Sequence, residues 1–94
     1  MNNDVKKLLP IGSVVHVKGA SKNMMIIGIA TTNENKYYDY FAVLYPEGFI
    51  DDKHSYLFNH QDIDKIVFIG YINSEMQALR SELSDMLKKE TNDK

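Results

Sequence analysis

The chain has no cysteine, and this absence removes two ways of stabilising a small protein. Without cysteine, the 94 residues can form neither a disulfide framework nor a thiolate metal site. A domain of this size buries only about 60% of the surface that its unfolded chain exposes. We therefore expect one domain with one small core and modest stability. Further apolar contact with a helix or a partner would add to that stability.

The chain also lacks a large excess of charge of one sign, and it lacks a long apolar run. Its 11 basic and 13 acidic residues give a formal net charge of -2, whereas proteins that bind nucleic acids or anionic membranes usually carry a basic surface. The longest apolar run, residues 24–30, is far shorter than the roughly 20 residues of a membrane-spanning helix. No secretory signal is recognisable before Pro10. We expect a cytoplasmic protein that contacts neither nucleic acid nor membrane.

Recognisable motifs for catalysis and cofactor binding are missing as well. The five glycines stand singly, so they form neither a dinucleotide fingerprint nor a phosphate loop. No serine lies in a nucleophile-elbow sequence. Asp62 and Asp64 could perform acid–base work only if one of them were desolvated, and turn amides explain them better. We expect no catalytic residue, no cofactor and a protein that is not an enzyme.

Three histidines near several aspartates raise the question of a metal site, because imidazole and carboxylate groups suit zinc or iron. No pair of histidines has a spacing typical of metal ligands, and surface or turn positions account for all three. His60 is the most interesting because it lies in a turn-rich stretch, where hydrogen bonds to the backbone also explain it. We therefore predict no metal site. The residues weighed are His16, His54, His60, Asp51, Asp52, Asp62 and Asp64.

What the sequence does contain is a pattern of short strands. Val15 and Val17 alternate with polar neighbours, as in a half-buried strand. A run that is apolar on both faces follows, and Gly28 inside it indicates a bulge or a sharp bend. A polar loop of about six residues, 31–36, should join it to the next strand as a hairpin. The predicted strands are residues 13–18, 24–30, 37–45, 56–58 and 65–71.

Turn signals separate the later strands. Pro46 and Gly48 favour a chain reversal, and Asn59 to Asp62 should form a corner in which the Asn59 and Asp62 side chains bind nearby amides. The pattern predicts a mostly β (α+β) fold: a small bent antiparallel sheet or SH3-like barrel of about five strands, followed by one C-terminal amphipathic helix. We expect a single globular domain over residues 8–89, with flexible termini at 1–7 and 90–94.

The C-terminal helix has a recognisable start and an apolar stripe. Asn73 or Ser74 can cap it, and Ser74 with Gln77 forms a capping-box pattern. Apolar residues then recur at three- and four-residue steps to about Lys89, which predicts that they share one face. That stripe either packs on the sheet of the same chain or docks on another chain. Its residues are Met76, Leu79, Leu83, Met86 and Leu87, and the polar surface holds Arg80, Glu82, Asp85 and Lys89.

Several tyrosines are candidates for a protein–protein interface. Most of the six tyrosines and four phenylalanines should lie in the core or on sheet faces, but Tyr37, Tyr45 and Tyr56 could be partly exposed. Exposed tyrosine is favoured where proteins bind one another. A stacking platform for single-stranded nucleic acid would need a basic groove that this composition does not supply. We therefore predict partner-binding residues at Tyr37, Tyr45, Tyr56, Met76, Leu79, Leu83 and Met86.

Six motifs in a fixed order resemble a known family. They are residues 8–15 (LLPIGSVV), 25–28 (MIIG), 38–40 (YDY), 45–49 (YPEGF), 58–63 (FNHQDI) and 67–71 (VFIGY). Together they look like domain-of-unknown-function family 4176, a small family of Gram-positive bacteria that is frequently encoded beside type VII secretion toxins carrying an LXG domain. The resemblance covers about residues 8–87 and supplies no catalytic residue.

The resemblance implies a role through its gene context. It suggests a cytoplasmic accessory protein of type VII secretion, a chaperone or adaptor that binds a cognate LXG toxin before export. The alternative is an immunity protein that neutralises the toxin domain, to which Glu47, Asp51 and Asp52 could present an acidic patch. Sequence alone leaves open whether a client adds a strand to a sheet edge or lays a helix in a groove.

Overall fold

The computed structural model describes residues 8–92, and the side chains of residues 8–86. Five antiparallel strands precede one helix, which confirms the predicted mostly β fold. Two short 3-10 helices, Asp52–His54 and His60–Asp62, flank the fourth strand. The main elements are β1 (Val14–Val17), β2 (Met24–Asn33), β3 (Lys36–Leu44), β4 (Ser55–Phe58), β5 (Ile63–Phe68) and α1 (Ser74–Asn92).

The order of the strands requires the sheet to bend. The strands lie in the order β4-β3-β2-β1-β5, so β4 and β5 stand at opposite ends. In a flat sheet those ends would be about 19 Å apart, whereas the five chain steps from Phe58 to Ile63 span at most about 18 Å. Among the described strands, no ladder joins β4 to β5. The structure is therefore the bent open sheet, curled so that its two edges approach each other.

The hairpin between β2 and β3 is tighter than the sequence suggested. Asn33 pairs with Lys36, which leaves a two-residue turn at Glu34 and Asn35, with φ angles of 52° and 65°. Two successive positive φ angles match the twist of the flanking strands, so the predicted six-residue loop was wrong. The predicted bulge is confirmed, because the register with β3 shifts between Ile26 and Gly28.

The core lies on one face of this sheet. Tyr40, Ile26, Val15 and Ala42 are fully buried, and the N-terminal residues Leu8 and Leu9 cover them. Aromatic contact adds to this packing, since the Tyr40 and Phe58 rings lie 5.7 Å apart. The remaining buried members of the cluster are Met24 and Phe58.

β5 ends earlier than predicted because Gly70 leaves the sheet. The amide of Gly70 donates to the buried Ser13 hydroxyl at 2.9 Å. The strand therefore covers Ile63–Phe68, while residues 69–73 are irregular. A side chain does not fit at Gly70, since a Cβ there would lie 2.3 Å from the Ile11 carbonyl oxygen.

The helix starts at Ser74 as predicted, and Asn73, one of its two predicted caps, is confirmed. Asn73 is the capping residue, because its side-chain oxygen accepts from the Met76 amide at 2.9 Å. Gln77 does not complete a capping box with Ser74, since its side chain accepts from Arg80 at 2.7 Å. The helical backbone continues past the predicted end to Asn92. No helix among the described residues has the length and hydropathy needed to cross a bilayer.

The face that α1 turns toward the sheet differs from the predicted stripe. Arg80, expected on the polar surface, is buried, and Ser84 is buried beside it. Leu83 packs against the core as an inward-facing residue, but Leu79 and Met86 are 41% and 59% exposed. The stripe fails because the guanidinium of Arg80 donates to the Leu8 carbonyl and so turns this polar residue inward. Leu87 and Lys89 lie outside the described side chains.

Gly70→Ala should destabilise the fold more than Gly19→Ala. At Gly70 the new methyl group meets backbone atoms of residues 11–13, and overpacking of this kind costs about 1–3 kcal/mol or more. At Gly19 the space is open and only the positive φ of 82° is unfavourable, at about 1–2 kcal/mol. Urea unfolding of both variants measures the difference. Equal losses of unfolding free energy would contradict the close approach at Gly70.

Candidate functional site

A polar corner forms where the β4–β5 connection meets β3. The Asp39 amide donates to the Asn59 side chain at 2.9 Å, and the Asp39 carboxylate accepts from the His60 amide at 2.8 Å. The Asp62 carboxylate accepts from the Asn59 amide at 3.0 Å. The predicted corner is thus present, and its carboxylates bind backbone amides. Asp39 is a member that the sequence analysis missed, because its partners lie about twenty residues away.

The Tyr40 hydroxyl joins this corner to the N-terminal segment. It accepts from the Leu9 amide at 2.9 Å and lies 2.7 Å from Nδ1 of His60. Burial raises the pKa of Tyr40 to about 12, so the hydroxyl keeps its proton near neutral pH. The distance to Nδ1 makes His60 a hydrogen-bond partner of the hydroxyl.

A single peptide group is held from two sides. Leu9 N–H binds Tyr40 of the sheet, and the carbonyl of Leu8, in the same peptide unit, accepts from Arg80 of the helix. Arg80 is buried, and its Nε has no hydrogen-bond partner in the part of the chain that the structure describes. Sheet, corner and helix therefore meet at the Leu8–Leu9 peptide.

The other two histidines pair with different aspartates. His16 lies between Asp64, 2.8 Å from Nδ1, and the Ala20 carbonyl, 2.9 Å from Nε2. His54 Nδ1 lies 2.6 Å from Asp51. Among the side chains that the structure describes, residues 8–86, no three histidine, aspartate or glutamate groups converge as metal ligands would.

A shallow cavity borders the corner. It has a volume of about 440 Å³. Asp62 does not line it, and most of the side chains around it are exposed. The corner therefore offers no deep polar pocket that encloses His60 and Asp62 together. The lining residues are His60, Gln61, Ile63, Asp64, Lys65 and Ile66.

The predicted partner-binding residues differ in their exposure to solvent. Tyr37 and Tyr56 are partly buried. The Tyr37 hydroxyl has no hydrogen-bond partner among the described residues, and burial raises its pKa. Tyr45 is exposed after β3. Of the helix residues, Met76 and Leu83 are partly buried, whereas Leu79 and Met86 face solvent.

A second surface was missed by the sequence analysis. Residues 66–72, which we call the apolar segment, run from the end of β5 to the start of α1 and contain no charged residue. Six of its seven residues are 42–80% exposed. The sequence signal was present as an uninterrupted neutral run, but the pattern predicted only a strand over residues 65–71. The exposed residues are Ile66, Val67, Phe68, Ile69, Tyr71 and Ile72.

The edge strand that carries this segment is irregular. Val14 pairs with Phe68 and Val15 pairs with Ile66, so Val67 is an extra residue on β5. A second register shift leaves Asp64 extra. Such bulges twist an edge and interrupt the two-residue alternation of side chains. The apolar segment therefore presents side chains more readily than a regular row of backbone hydrogen-bonding groups.

One known protein family matches the part of the chain that holds the corner and the apolar segment. A family model described as "Domain of unknown function (DUF4176)" matches residues 8–79, which is most of the chain. The chain belongs to the DUF4176 family. No curated protein and no solved structure matches it. The DUF4176 match includes the polar corner, the apolar segment and the first turns of α1.

Tyr40→Phe should destabilise this DUF4176 protein. The change removes the acceptor of the buried Leu9 amide, and an unsatisfied buried group costs about 1–3 kcal/mol. Tyr71→Phe is the matched control, because Tyr71 is 80% exposed, and should stay within about 0.5 kcal/mol of wild type. Urea unfolding measures both. Equal stability of the two variants would argue against the hydrogen bond.

Stability should also depend on the charge of His16. The hydrogen bond with Asp64 raises the pKa of His16 above 6.5, and both ring nitrogens face acceptors. Because the folded pKa exceeds the unfolded one, this contribution is fully present below about pH 6.5 and is lost as pH rises through the folded value. NMR titration of Asp64→Asn should show the His16 pKa falling toward 6.5. An unchanged His16 pKa would rule out this pairing.

Proposed function

We propose that this protein is a non-enzymatic, protein-binding accessory factor of type VII secretion. In this proposal it acts in the cytoplasm as a chaperone or adaptor for a cognate LXG toxin. The family resemblance supplies the secretion context, and the exposed apolar segment is the observation that carries protein binding. Exposed apolar patches rimmed by polar residues mark interaction sites on soluble proteins.

The polar groups of the corner support a binding role more than a catalytic one. Catalysis by general acids and bases needs side chains that can reach a substrate proton. Here the carboxylates of Asp39 and Asp62 accept backbone amides, and Nδ1 of His60 faces the Tyr40 hydroxyl. These groups are thereby committed to shaping the chain.

Side-chain docking fits the apolar segment better than strand addition. Addition of a client strand requires a regular row of unpaired backbone groups, and β5 carries two register shifts along its ladder with β1. The amide of Gly70, within the segment, is already bound to Ser13. We therefore propose that the client covers the segment with its own apolar side chains.

The immunity alternative rests on an acidic patch that is already partly compensated. Glu47 pairs with Lys22 at 3.1 Å, and Asp51 pairs with His54 at 2.6 Å. The charge of Lys22 reduces the negative field that a basic toxin domain would meet at Glu47. The chaperone or adaptor role therefore remains the first proposal.

Co-expression with the neighbouring LXG toxin should yield a stable complex in size-exclusion chromatography. Ile69→Asp should abolish co-elution, because it places a charge in the apolar contact. Ile50→Asp is the matched control, since Ile50 is exposed to a similar degree, 50% against 53%, but lies outside the segment. Separate elution of the wild-type proteins at micromolar concentration would refute the proposal.

The region of the toxin that is bound distinguishes the two roles. Binding to the N-terminal or central region supports a chaperone or adaptor. Binding to the C-terminal toxin domain, with loss of toxicity, supports immunity instead. Truncated toxins in the same co-elution assay provide this comparison.

A further inference from the structure

We propose that the ring of His16 is a proton-operated latch, which holds the turn between β1 and β2 while the ring is charged and releases that turn when the ring is neutral. The turn, residues 18–23, connects the two strands. The latch consists of His16 of β1, Ala20 of the turn and Asp64 of β5. This inference is independent of the proposed function, because it concerns the protein without a client.

The ring of His16 lies between two hydrogen-bond acceptors that belong to different segments. Nδ1 is 2.8 Å from the Asp64 carboxylate, and Nε2 is 2.9 Å from the Ala20 carbonyl oxygen. A carbonyl and an ionised carboxylate can only accept hydrogen bonds, so both contacts form together only when each ring nitrogen carries a hydrogen. The observed arrangement is therefore that of the charged imidazolium ring.

Loss of a proton to water breaks one of these contacts and keeps the other. A neutral ring carries a single nitrogen-bound hydrogen. Because a hydrogen bond to a charged acceptor is stronger than one to a neutral acceptor, that hydrogen stays on Nδ1 and the contact with Asp64 persists. Nε2 then turns a lone pair toward the Ala20 carbonyl oxygen, which repels it. Deprotonation thus releases the turn and leaves the contact between β1 and β5 in place.

An irregularity of β5 places Asp64 for this contact. His16 pairs with Lys65 and Val17 pairs with Ile63, so Asp64 is an extra residue on β5. Bulges of this kind re-aim a side chain out of the regular alternation of a strand. The side chain of the extra residue therefore reaches a histidine on the neighbouring strand.

Backbone hydrogen bonds limit how far the released turn can move. The Ala20 amide donates to the Val17 carbonyl at 3.0 Å, and the Lys18 amide donates to the Asp62 carbonyl at 2.9 Å. Both bonds are independent of the protonation of His16. Release therefore means that the turn opens more often, and the sheet itself stays folded.

The charges around His16 set the pH range in which the latch works. The hydrogen bond with Asp64 raises the pKa of His16 above 6.5, the bond with the Ala20 carbonyl also raises it, and the positive charge of Lys65 lowers it. The ring therefore stays charged to a higher pH than an unpaired histidine, and the turn is released as pH rises through the folded value. The other charged side chains of the turn and the corner are Lys18, Lys22 and Asp62, of which Lys22 pairs with Glu47 and Asp62 accepts the Asn59 amide.

NMR of the isolated protein across the titration of His16 tests the latch. Ring ¹⁵N shifts should show a charged ring at low pH and a neutral ring with its hydrogen on Nδ1 at high pH. Over the same range, the protection of the Ala20 amide against hydrogen exchange, corrected for the intrinsic effect of pH, should fall about 1.5- to 5-fold, as expected for an exposed ion pair. A neutral ring with its hydrogen on Nε2, or constant protection of Ala20, would overturn the inference.

Two variants show whether the change in protection belongs to His16. His16→Asn has no titrating ring and should remove the step in Ala20 protection. His54→Asn is the matched control, because His54 also pairs with an aspartate through Nδ1, at 2.6 Å from Asp51, but lies before β4. This variant should keep the step. A step that persists in His16→Asn, or that disappears in His54→Asn, would contradict the latch.

Discussion

The peptide group between Leu8 and Leu9 is the point on which the arrangement of the whole domain depends. Its N–H binds the Tyr40 hydroxyl and its carbonyl binds the Arg80 guanidinium, so one rigid planar unit links the sheet to the helix. Tyr40 in turn contacts His60 of the polar corner. In a domain that buries little surface, three parts of the fold are thus positioned by contacts to a segment that belongs to neither the sheet nor the helix.

The same linkage explains the burial of a charged residue. Arg80 was predicted on the polar surface of the helix, yet it is more buried than Leu79 beside it. A buried charge is tolerated when its donors find acceptors, and here a carbonyl and the Gln77 side chain supply them. Because these bonds fix which face of α1 turns inward, they also decide that Leu79 and Met86 face solvent. The apolar outer face of the helix is a consequence of a polar anchor.

The sequence was informative where structure is local and failed where contacts are long-range. The turn at Gly48, the bulge at Gly28 and the corner at Asn59 follow from residues whose backbone or side-chain chemistry acts within a few positions. The helix face was misjudged because Arg80 binds a carbonyl 72 residues away. β5 was predicted too long because Gly70 binds Ser13, 57 residues away. Hydrophobic periodicity cannot predict such partners, because it depends on residue type and spacing and contains no information on long-range contacts.

The distribution of polar and apolar groups has a physical consequence for binding. The corner uses its carboxylates and Tyr40 to satisfy backbone groups, which makes the β4–β5 connection a defined shape. The neutral residues 66–72 follow directly, where the sheet has become irregular and Gly70 ties the chain back to Ser13. An apolar surface tied to the fold in this way loses little conformational freedom when it is covered, and such preorganisation lowers the cost of association. The surface on which we propose that the client docks is therefore anchored by the corner before it and by Gly70 within it.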